Sequence, residues 1–229
     1  MWHALAMPNC PVCGHCDWKH VPTIWPALAE QWNLNAEELE YVDRQQGTRC
    51  ARCGGPVRVA ALADAIRSHY GWRRPLREMI LRRPWLKVLE INEAGTLTPT
   101  LRRYRHTLAM YPEVDAQALP YTDASFDLVV HSDTLEHVPD PGQALRECRR
   151  VLRAGGALAY TVPVVVGRMG RVRGPDEVTS YHGGEATSDY PVVTEYGADM
   201  WTAPVRAGFS SVTVKAFDYP AGLSMLCKA

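Results

Sequence analysis

Four cysteines stand in two short motifs of the same form, one near the start of the chain and one about forty residues later. The motifs are Cys10-Pro11-Val12-Cys13-Gly14 and Cys50-Ala51-Arg52-Cys53-Gly54. A turn of this kind lets two thiolates bind one ion, and two such turns complete the tetrahedral sulfur site that zinc prefers. The spacing therefore predicts a zinc site formed by Cys10, Cys13, Cys50 and Cys53.

Two other interpretations of these cysteines are open. They could form a redox pair, although no strand-helix-strand pattern surrounds either motif, or they could simply be buried. Cys16, His15 and His20 lie close by, but four cysteines already complete a site, so we expect these three to stay outside it. The N-terminus lacks a basic stretch followed by an apolar one, which predicts a cytoplasmic protein whose seven cysteines serve a metal or catalysis before disulfides.

A second group with chemical potential follows the apolar, β-branched segment 126–130, which predicts a buried strand. Ligands of an open α/β sheet bind beyond the carboxyl ends of its strands, so His131, Ser132 and Asp133 are site candidates. His182 lies in the irregular segment 167–199, which we interpret as a loop covering the substrate. Imidazole can take a proton near neutral pH, so His131 and His182 are candidate bases, which Asp133 could orient. A solvent-exposed loop histidine is the alternative for His182.

The elements around this group indicate parallel strands. Asp140-Pro141 has the residue types that open a helix, and Gly155-Gly156 has those that end one. A second apolar segment, 157–162, predicts the next strand. Strand, helix and strand at this spacing form a βαβ unit. The apolar face of the helix comprises Ala144, Leu145, Cys148, Val151 and Leu152.

Four motifs in this part of the chain resemble those of class I S-adenosylmethionine-dependent methyltransferases. They are Leu119-Pro120-Tyr121, Ser125-Phe126-Asp127, Leu135-Glu136-His137-Val138 and the segment 150–156. The resemblance runs from about Val88 to the end of the chain. It implies an α/β fold with a Rossmann-like sheet that closes with an antiparallel hairpin over segments 212–217 and 223–228. Another doubly wound α/β domain is the alternative.

The resemblance also implies an S-adenosylmethionine site. The first strand, 86–91, ends near an acid, Glu90, but the turn after it keeps only one of the family's glycines, Gly95. Asp115-Ala116 matches the position that contacts adenine, whereas the candidate second strand, 107–111, ends without the usual ribose-binding acid. The expected cofactor-binding residues are Glu90, Ile91, Asn92, Gly95, Asp115, Ala116, His131, Ser132 and His137.

Asp133, Glu136 and His137 would share one face if they were helical. This pattern resembles the one by which some quinone-pathway O-methyltransferases hold a divalent ion. The same Leu-Glu-His-Val sequence is common in methyltransferases that need no metal, where the pair caps and packs beside the cofactor. A second metal is therefore an alternative to this packing role.

The pattern predicts three parts: a zinc-binding module over residues 1–58, linker helices over 59–84 and the methyltransferase domain over 85–229. Within the first part, Asn35 and Glu38 form a candidate capping box for a helix over 36–44. Segments 57–69 and 76–81 are helical by pattern. A module of this size is too small to be stable on an apolar core alone, so its folding should depend on the metal.

The formal net charge of zero argues against a nucleic-acid partner, because phosphate contacts need surplus positive charge. No apolar run approaches the length of a membrane span. We therefore expect a zinc-bearing methyltransferase that acts on a small molecule. The alternatives are an RNA methyltransferase whose zinc module binds RNA, and a non-catalytic protein that binds a partner. The sequence indicates neither the acceptor nor the oligomeric state.

Overall fold

The computed structural model describes residues 7–177, 179–181 and 190–229. Its N-terminal region contains the first cysteine turn, two short strands and two helices. These elements are β1 (Trp18–His20), α1 (Pro26–Gln31), α2 (Ala36–Gly47) and β2 (Thr48–Cys50). Strands β1 and β2 pair antiparallel with Trp18 opposite Cys50, so the second cysteine turn lies beside the first.

Helix α2 begins with the predicted capping box. Asn35 Oδ1 accepts a hydrogen bond from the Glu38 amide at 2.9 Å, and the Glu38 carboxylate accepts one from the Asn35 amide at 2.9 Å. Two backbone donors that the first turn leaves unpaired are thereby satisfied. The helix continues beyond the predicted end at Arg44 to Gly47, which places Gln45 and Gln46 on the helix.

The strands that follow are, in chain order, β3 (Lys87–Ile91), β4 (Arg105–Ala109), β5 (Phe126–Ser132), β6 (Leu152–Thr161), β7 (Val164–Val165), β8 (Arg171–Val172), β9 (Thr194–Gly197), β10 (Ser211–Asp218) and β11 (Gly222–Lys228). Six of them form one sheet with the order β10-β11-β6-β5-β3-β4. Strands β6, β5, β3 and β4 are parallel to one another. Strands β10 and β11 form the predicted antiparallel hairpin, and β11 pairs antiparallel with β6. Strands β7, β9 and β8 form a small separate sheet.

The remaining helices are α3 (Val57–His69), α4 (Leu76–Met79), α5 (Thr98–Leu101), α6 (Pro141–Val151) and α7 (Thr202–Arg206). Helix α3 contacts β6, β10 and β11, and its Leu62 and Ile66 are fully buried in one cluster with Val88 and Val130 of the sheet. Helix α6 buries its predicted apolar face in the cluster on the opposite side. The sheet is therefore covered by helices on both faces.

The ends of α6 and β4 also differ from the sequence prediction. Helix α6 ends at Val151 instead of at Gly155-Gly156, and Gly155 takes a positive φ of 77° in the segment that leads into the buried part of β6. A Cβ on Gly156 would lie 3.1 Å from the Asp127 carbonyl oxygen, so the glycines permit a close approach of strands. Strand β4 ends two residues before the predicted end at Tyr111, because the Tyr111 amide donates to the Asn92 side chain and leaves the ladder.

The predicted covering loop, 167–199, is partly structured. Strands β8 and β9 lie within it and pair antiparallel, with Arg171 opposite Glu195. His182 lies outside the described residues. Among the helices of the described chain, none has both the length and the apolar character needed to cross a bilayer.

Candidate functional site

The four cysteines of the two motifs converge on one point. Their sulfur atoms all lie within 4.8 Å of one another, with Cys10 Sγ 3.7 Å from Cys53 Sγ and Cys13 Sγ 3.6 Å from Cys50 Sγ. A tetrahedral zinc with bonds of about 2.3 Å to sulfur separates its ligands by about 3.8 Å. All four thiols are free of disulfides. The arrangement therefore fits one tetrahedral ion.

The backbone at each turn explains the glycines of the motifs. The Gly14 amide donates to the Cys10 carbonyl at 2.7 Å, and the Gly54 amide donates to the Cys50 carbonyl at 2.9 Å. Both glycines have positive φ, of 81° and 71°, a conformation that costs other residues free energy. The hydrogen bond from the Cys10 thiol lowers the pKa of Cys53, which favours a thiolate at that position.

The neighbouring candidates stay outside this cluster, as the sequence predicts. His20 Nδ1 lies 2.9 Å from the Thr48 hydroxyl, and its Nε2 lies 3.0 Å from Asp43. His15 and Cys16 form a separate, more exposed group with Asp17. No described residue other than the four cysteines joins the cluster of sulfur atoms.

A cavity of about 480 Å³ opens at the carboxyl ends of β3, β4 and β5. This is where ligands bind in open α/β sheets, and the volume lies in the range of small-molecule sites. We name it the sheet cavity. Of the predicted cofactor-binding residues, it is lined by Ile91, Asn92, Asp115, Ala116 and His137.

The turn after β3 compensates for its missing glycines. Asn92 takes a positive φ of 52°, a conformation that asparagine tolerates better than most residues. Gly95 takes the second positive φ of the turn, 59°. The Asn92 carboxamide accepts from the Tyr111 amide at 3.1 Å, which fixes the turn against the segment after β4. The departure from the family's glycine pattern therefore leaves the turn intact. Gly95 itself does not line the cavity.

Glu90 lies beneath this turn and is fully buried. Its carboxylate accepts hydrogen bonds from the Ala94 amide at 2.8 Å and the Thr98 hydroxyl at 2.6 Å, and it lies 2.6 Å from His106 Nε2. These partners occupy the carboxylate, so Glu90 supports the turn and does not reach the cavity. The sequence prediction of a direct cofactor contact at Glu90 is revised to a supporting role.

The opposite wall of the sheet cavity carries the predicted adenine position. The Asp115 carboxylate accepts from the Gln117 amide at 2.8 Å, and Ala116 is buried beside it. After β4 the wall is formed by Met110 and Tyr111. Neither is an acid, so the ribose partner stays unassigned, as the sequence indicates.

A second cavity of about 340 Å³ lies between the N-terminal region and the sheet. We name it the cleft cavity. Its apolar wall includes Ile24, Trp25, Leu28, Trp32 and Val42. Asp133 and His137 line both the cleft cavity and the sheet cavity, so the two volumes meet at these side chains.

Asp133 is held by polar contacts from two regions. Its Oδ2 accepts from Gln46 at 3.0 Å and lies 3.2 Å from Arg58 Nε, while its Oδ1 accepts from the Thr161 hydroxyl at 3.1 Å. Its backbone has a positive φ of 48°, which is uncommon outside glycine and is typical of functional positions. The contacts fix the carboxylate at the junction of the cavities.

His131 occupies a different environment from the one predicted. It is 1% exposed, stacks on Tyr160 with ring centroids 4.7 Å apart, and lines neither cavity. Neither ring nitrogen has a hydrogen-bond partner in the described part of the chain, and burial lowers the pKa of His131 to about 3. The alternation of side chains along β5 turns it into the core, so the geometry argues against His131 as a base or a cofactor contact.

Ser132 is also buried, but it belongs to the network around Asp133. Its hydroxyl accepts from Arg58 at 2.7 Å and lies 2.8 Å from the Thr161 hydroxyl. Ser132 lines neither cavity, so its role is to hold Arg58 beside Asp133.

His137 replaces His131 as the imidazole at the site. Its Nδ1 lies 3.2 Å from the Pro191 carbonyl oxygen, which only accepts, so Nδ1 carries the proton in this contact. In the neutral ring the lone pair then lies on Nε2. Only Leu135–His137 is helical here, as a 3-10 turn, and Asp133 lies outside it. Asp133, Glu136 and His137 do not form a metal-binding group in the described structure.

Sequence reasoning missed four contributors to the site: Trp25, Trp32 and Gln46 of the N-terminal region and Arg58 of α3. Their separation from Asp133 along the chain leaves no local pattern to join them. One signal was present: Gln46 and Arg58 flank the second cysteine motif, whose geometry was predicted.

Comparison with known proteins finds similarity to methyltransferases in one part of the chain. Residues 87–160 match the family described as Methyltransferase domain. A protein of Mycolicibacterium smegmatis named "Probable S-adenosylmethionine-dependent methyltransferase" is 43% identical over 150 residues, covering 60% of this chain and 48% of that protein. The 27-O-demethylrifamycin SV methyltransferase of Amycolatopsis mediterranei is 48% identical over 50 residues, covering 22% of this chain and 18% of that protein.

Residues 87–160 and the segments aligned with these two relatives are thus similar in sequence to methyltransferases, two of which carry that name. The chain spans less than half the length of both relatives. Among solved structures, the trans-methyltransferase CalH in complex with SAH is similar with a TM-score of 0.45 at 15% identity, covering 84% of this chain and 57% of that chain.

Proposed function

We propose that this protein transfers a methyl group from S-adenosylmethionine to a small-molecule acceptor, and that a structural zinc orders its N-terminal region. One observation carries the proposal: Asp133 and His137 line both the sheet cavity and the cleft cavity. A methyl donor in the first cavity and an acceptor in the second would meet at these two side chains.

The sheet cavity has the features that suit the donor. Asp115, Ala116 and Asn92 offer a carboxylate, a backbone amide and a carboxamide at the carboxyl ends of the strands. S-adenosylmethionine, when bound, supplies an electrophilic methyl group: the acceptor's lone pair forms the new bond to carbon, and the old carbon–sulfur bond leaves its electron pair on sulfur. The protein's task is then to align the acceptor and to take up its proton.

The junction residues can perform both tasks. The Asp133 carboxylate is fixed by Gln46, Arg58 and Thr161, and it can accept a hydrogen bond from an acceptor hydroxyl or amine. His137 Nε2, which also lies 3.8 Å from the Glu136 carboxylate, is the candidate destination of the acceptor's proton. His182, the other predicted base, lies outside the described residues and remains a prediction.

The small-molecule assignment has two supports. The cleft cavity is bounded by side chains from both the N-terminal region and the sheet region, and its 340 Å³ is of small-molecule size. The name of the Amycolatopsis relative specifies a small-molecule acceptor. The zinc assignment is supported by four thiols with the separations of a tetrahedral site.

Calorimetry with S-adenosylhomocysteine tests the donor site. We expect saturable binding in the micromolar range and at least tenfold weaker binding by Asp115→Ala. Gln143→Ala is a control, because Gln143 is polar and near Gln117 but does not line the cavity. Transfer of label from methyl-labelled S-adenosylmethionine to pooled small molecules tests the reaction. An absence of heat up to millimolar concentration would contradict the proposal.

A further inference from the structure

The cleft cavity has an apolar interior and a basic rim. Trp25, Trp32 and Leu28 present aromatic and aliphatic surface to it, and Trp32 is held in place by a hydrogen bond from its indole to Ser180 at 2.8 Å. Arg49 lines the same cavity and is exposed. A ligand of this cavity would therefore meet a flat apolar wall and a guanidinium group.

Arg49 has a second cation beside it, Lys19, which does not itself line the cavity. It lies on β2 directly opposite Lys19 of β1 in the antiparallel pair, so the two side chains project from the same face. Like charges placed directly opposite each other repel and destabilise the pair. Neither cation forms a hydrogen bond or an ion pair with a side chain of the described residues. An anion between them would remove this repulsion.

The acids near the cavity already have partners. Asp43 accepts from the Thr23 and Ile24 amides and pairs with His20 at 3.0 Å. Asp133 pairs with Arg58. Within the part of the chain that the structure describes, no acid therefore pairs with Lys19 or Arg49, in a chain whose formal net charge is zero.

We infer that the acceptor is a flat, apolar or aromatic acid whose carboxylate or phosphate contacts Arg49 and Lys19 while its ring lies against Trp25 and Trp32. This inference rests on the proposed function in one respect, namely that the ligand of the cleft cavity is the methyl acceptor. The group to be methylated would lie at the other end of the cavity, beside Asp133 and His137. A guanidinium recognises carboxylate or phosphate with two parallel hydrogen bonds, which makes Arg49 the main contact.

Binding of 2-naphthoate and of its neutral isostere 2-naphthamide tests the inference. Titrations use the full zinc-loaded chain saturated with S-adenosylhomocysteine, and quenching of tryptophan fluorescence reports occupancy of the cleft cavity. We expect naphthoate to bind at least about tenfold more tightly than naphthamide, as charge-assisted hydrogen bonds require. Arg49→Gln should remove this preference and leave naphthamide binding unchanged.

Arg52→Gln is the matched control, because Arg52 is an exposed arginine of the same cysteine motif that does not line the cavity. Trp25→Leu should weaken the binding of both 2-naphthoate and 2-naphthamide. Equal affinity for the two probes, no binding of either, or the same loss in Arg52→Gln as in Arg49→Gln would overturn the inference. Failure of S-adenosylhomocysteine to bind would instead count against the proposed function, so the two failures are distinguishable.

Discussion

The N-terminal region and the sheet region are stabilised in different ways. In the sheet, α3 and α6 bury apolar residues on both faces, and side chains such as Leu62, Val88 and Leu158 are fully inaccessible. The N-terminal region has a smaller cluster around Leu28 and Val42, and this cluster includes residues of the sheet region. Its two cysteine turns are joined by sulfur atoms rather than by a core of their own.

The difference shows how the two regions depend on each other. The N-terminal region contacts the sheet region through polar links, including Arg44 with Asp218 at 2.8 Å and Gln45 with the Ala221 carbonyl at 3.0 Å. In return it supplies Trp25, Trp32 and Gln46 to the cleft cavity, where Gln46 contacts Asp133 together with Arg58 of α3. The N-terminal region thus contributes one wall of the candidate site, and its cysteine turns are buried against α3 and the sheet. We expect its order to depend on the metal as well as on this packing.

Removal of zinc should produce the largest difference in stability between the N-terminal region and the sheet region. Chelation, or Cys50→Ser, should lower the free energy of unfolding by more than about 4 kcal/mol, the range of effects produced by loss of a metal site. Hydrogen exchange should rise first in β1, β2 and α2, while β5 and β6 remain protected. Zinc content by elemental analysis gives the stoichiometry, which we expect to be about one per chain.

Cys16→Ser is the control for this experiment, because Cys16 is exposed and lies outside the sulfur cluster. A Cys50→Ser protein that kept its zinc and its protection would show that the N-terminal region is ordered by packing alone.

Asp133→Asn probes the boundary between the two regions. Asparagine retains the shape and tolerates positive φ, but it removes the charge that pairs with Arg58. We expect turnover to fall about a hundredfold, the lower end for loss of a proton-handling or aligning group. The dissociation constant for S-adenosylhomocysteine, measured by calorimetry, should change by no more than about twofold.

Asp127→Asn provides a matched comparison at the opposite end of β5, where the carboxylate pairs with Arg153 at 2.9 Å. It should keep full turnover per folded molecule. If the two variants lost turnover equally, the effect would come from strand stability and not from the site.

Glu90→Gln probes the sheet region alone. The change weakens the acceptor for the Ala94 amide and the Thr98 hydroxyl in a fully buried position, so we expect a loss of about 2 kcal/mol in stability. The turn that carries Asn92 should loosen, and affinity for S-adenosylhomocysteine should fall about tenfold. Thermal denaturation and calorimetry measure the two effects.

Glu93→Gln is the paired control, because Glu93 forms only an exposed ion pair with Arg102 and should matter little. Loss of affinity without loss of stability in Glu90→Gln would indicate a direct contact with the cofactor, as the sequence predicted.

His131→Phe should have the smallest effect at neutral pH. It removes two buried ring nitrogens that lack partners in the described chain and keeps an aromatic ring against Tyr160, so stability should rise by about 1–2 kcal/mol with turnover unchanged. The sign with pH follows from the pKa of His131, lowered by burial to about 3. The unfolded chain binds a proton below about pH 6.5 and the folded chain does not, so acid destabilises the native protein.

The protonation of His131 in the unfolded chain should by itself lower the free energy of unfolding of the native protein by about 2 kcal/mol between pH 7 and pH 5. The difference between native protein and His131→Phe should therefore widen over that interval in chemical denaturation experiments. A difference in the free energy of unfolding that stayed constant with pH would mean that His131 is more accessible than its position indicates. A large loss of turnover in His131→Phe would make His131 a candidate base again.

Local patterns in the sequence were sufficient for much of this protein. The cysteine spacing predicted the sulfur cluster because a C-x-x-C turn is complete within a few residues. The capping box of α2, the N-cap of α6 at Asp140 and the closing hairpin were predicted for the same reason. Each of these features is decided by residues that are neighbours in the chain or on adjacent strands.

The tertiary structure alone decided which side chains reach the site. His131 and Asp133 are two residues apart and looked equally suited to chemistry, yet one is buried against Tyr160 and the other lines both cavities. The end of β5 and the positive φ of Asp133 set that difference. Likewise, Gln46 and Arg58 contact Asp133, and Trp32 lines the same cavity, only because the N-terminal region and α3 pack over the sheet. Such contacts depend on long-range packing, which no pattern of neighbouring residues encodes.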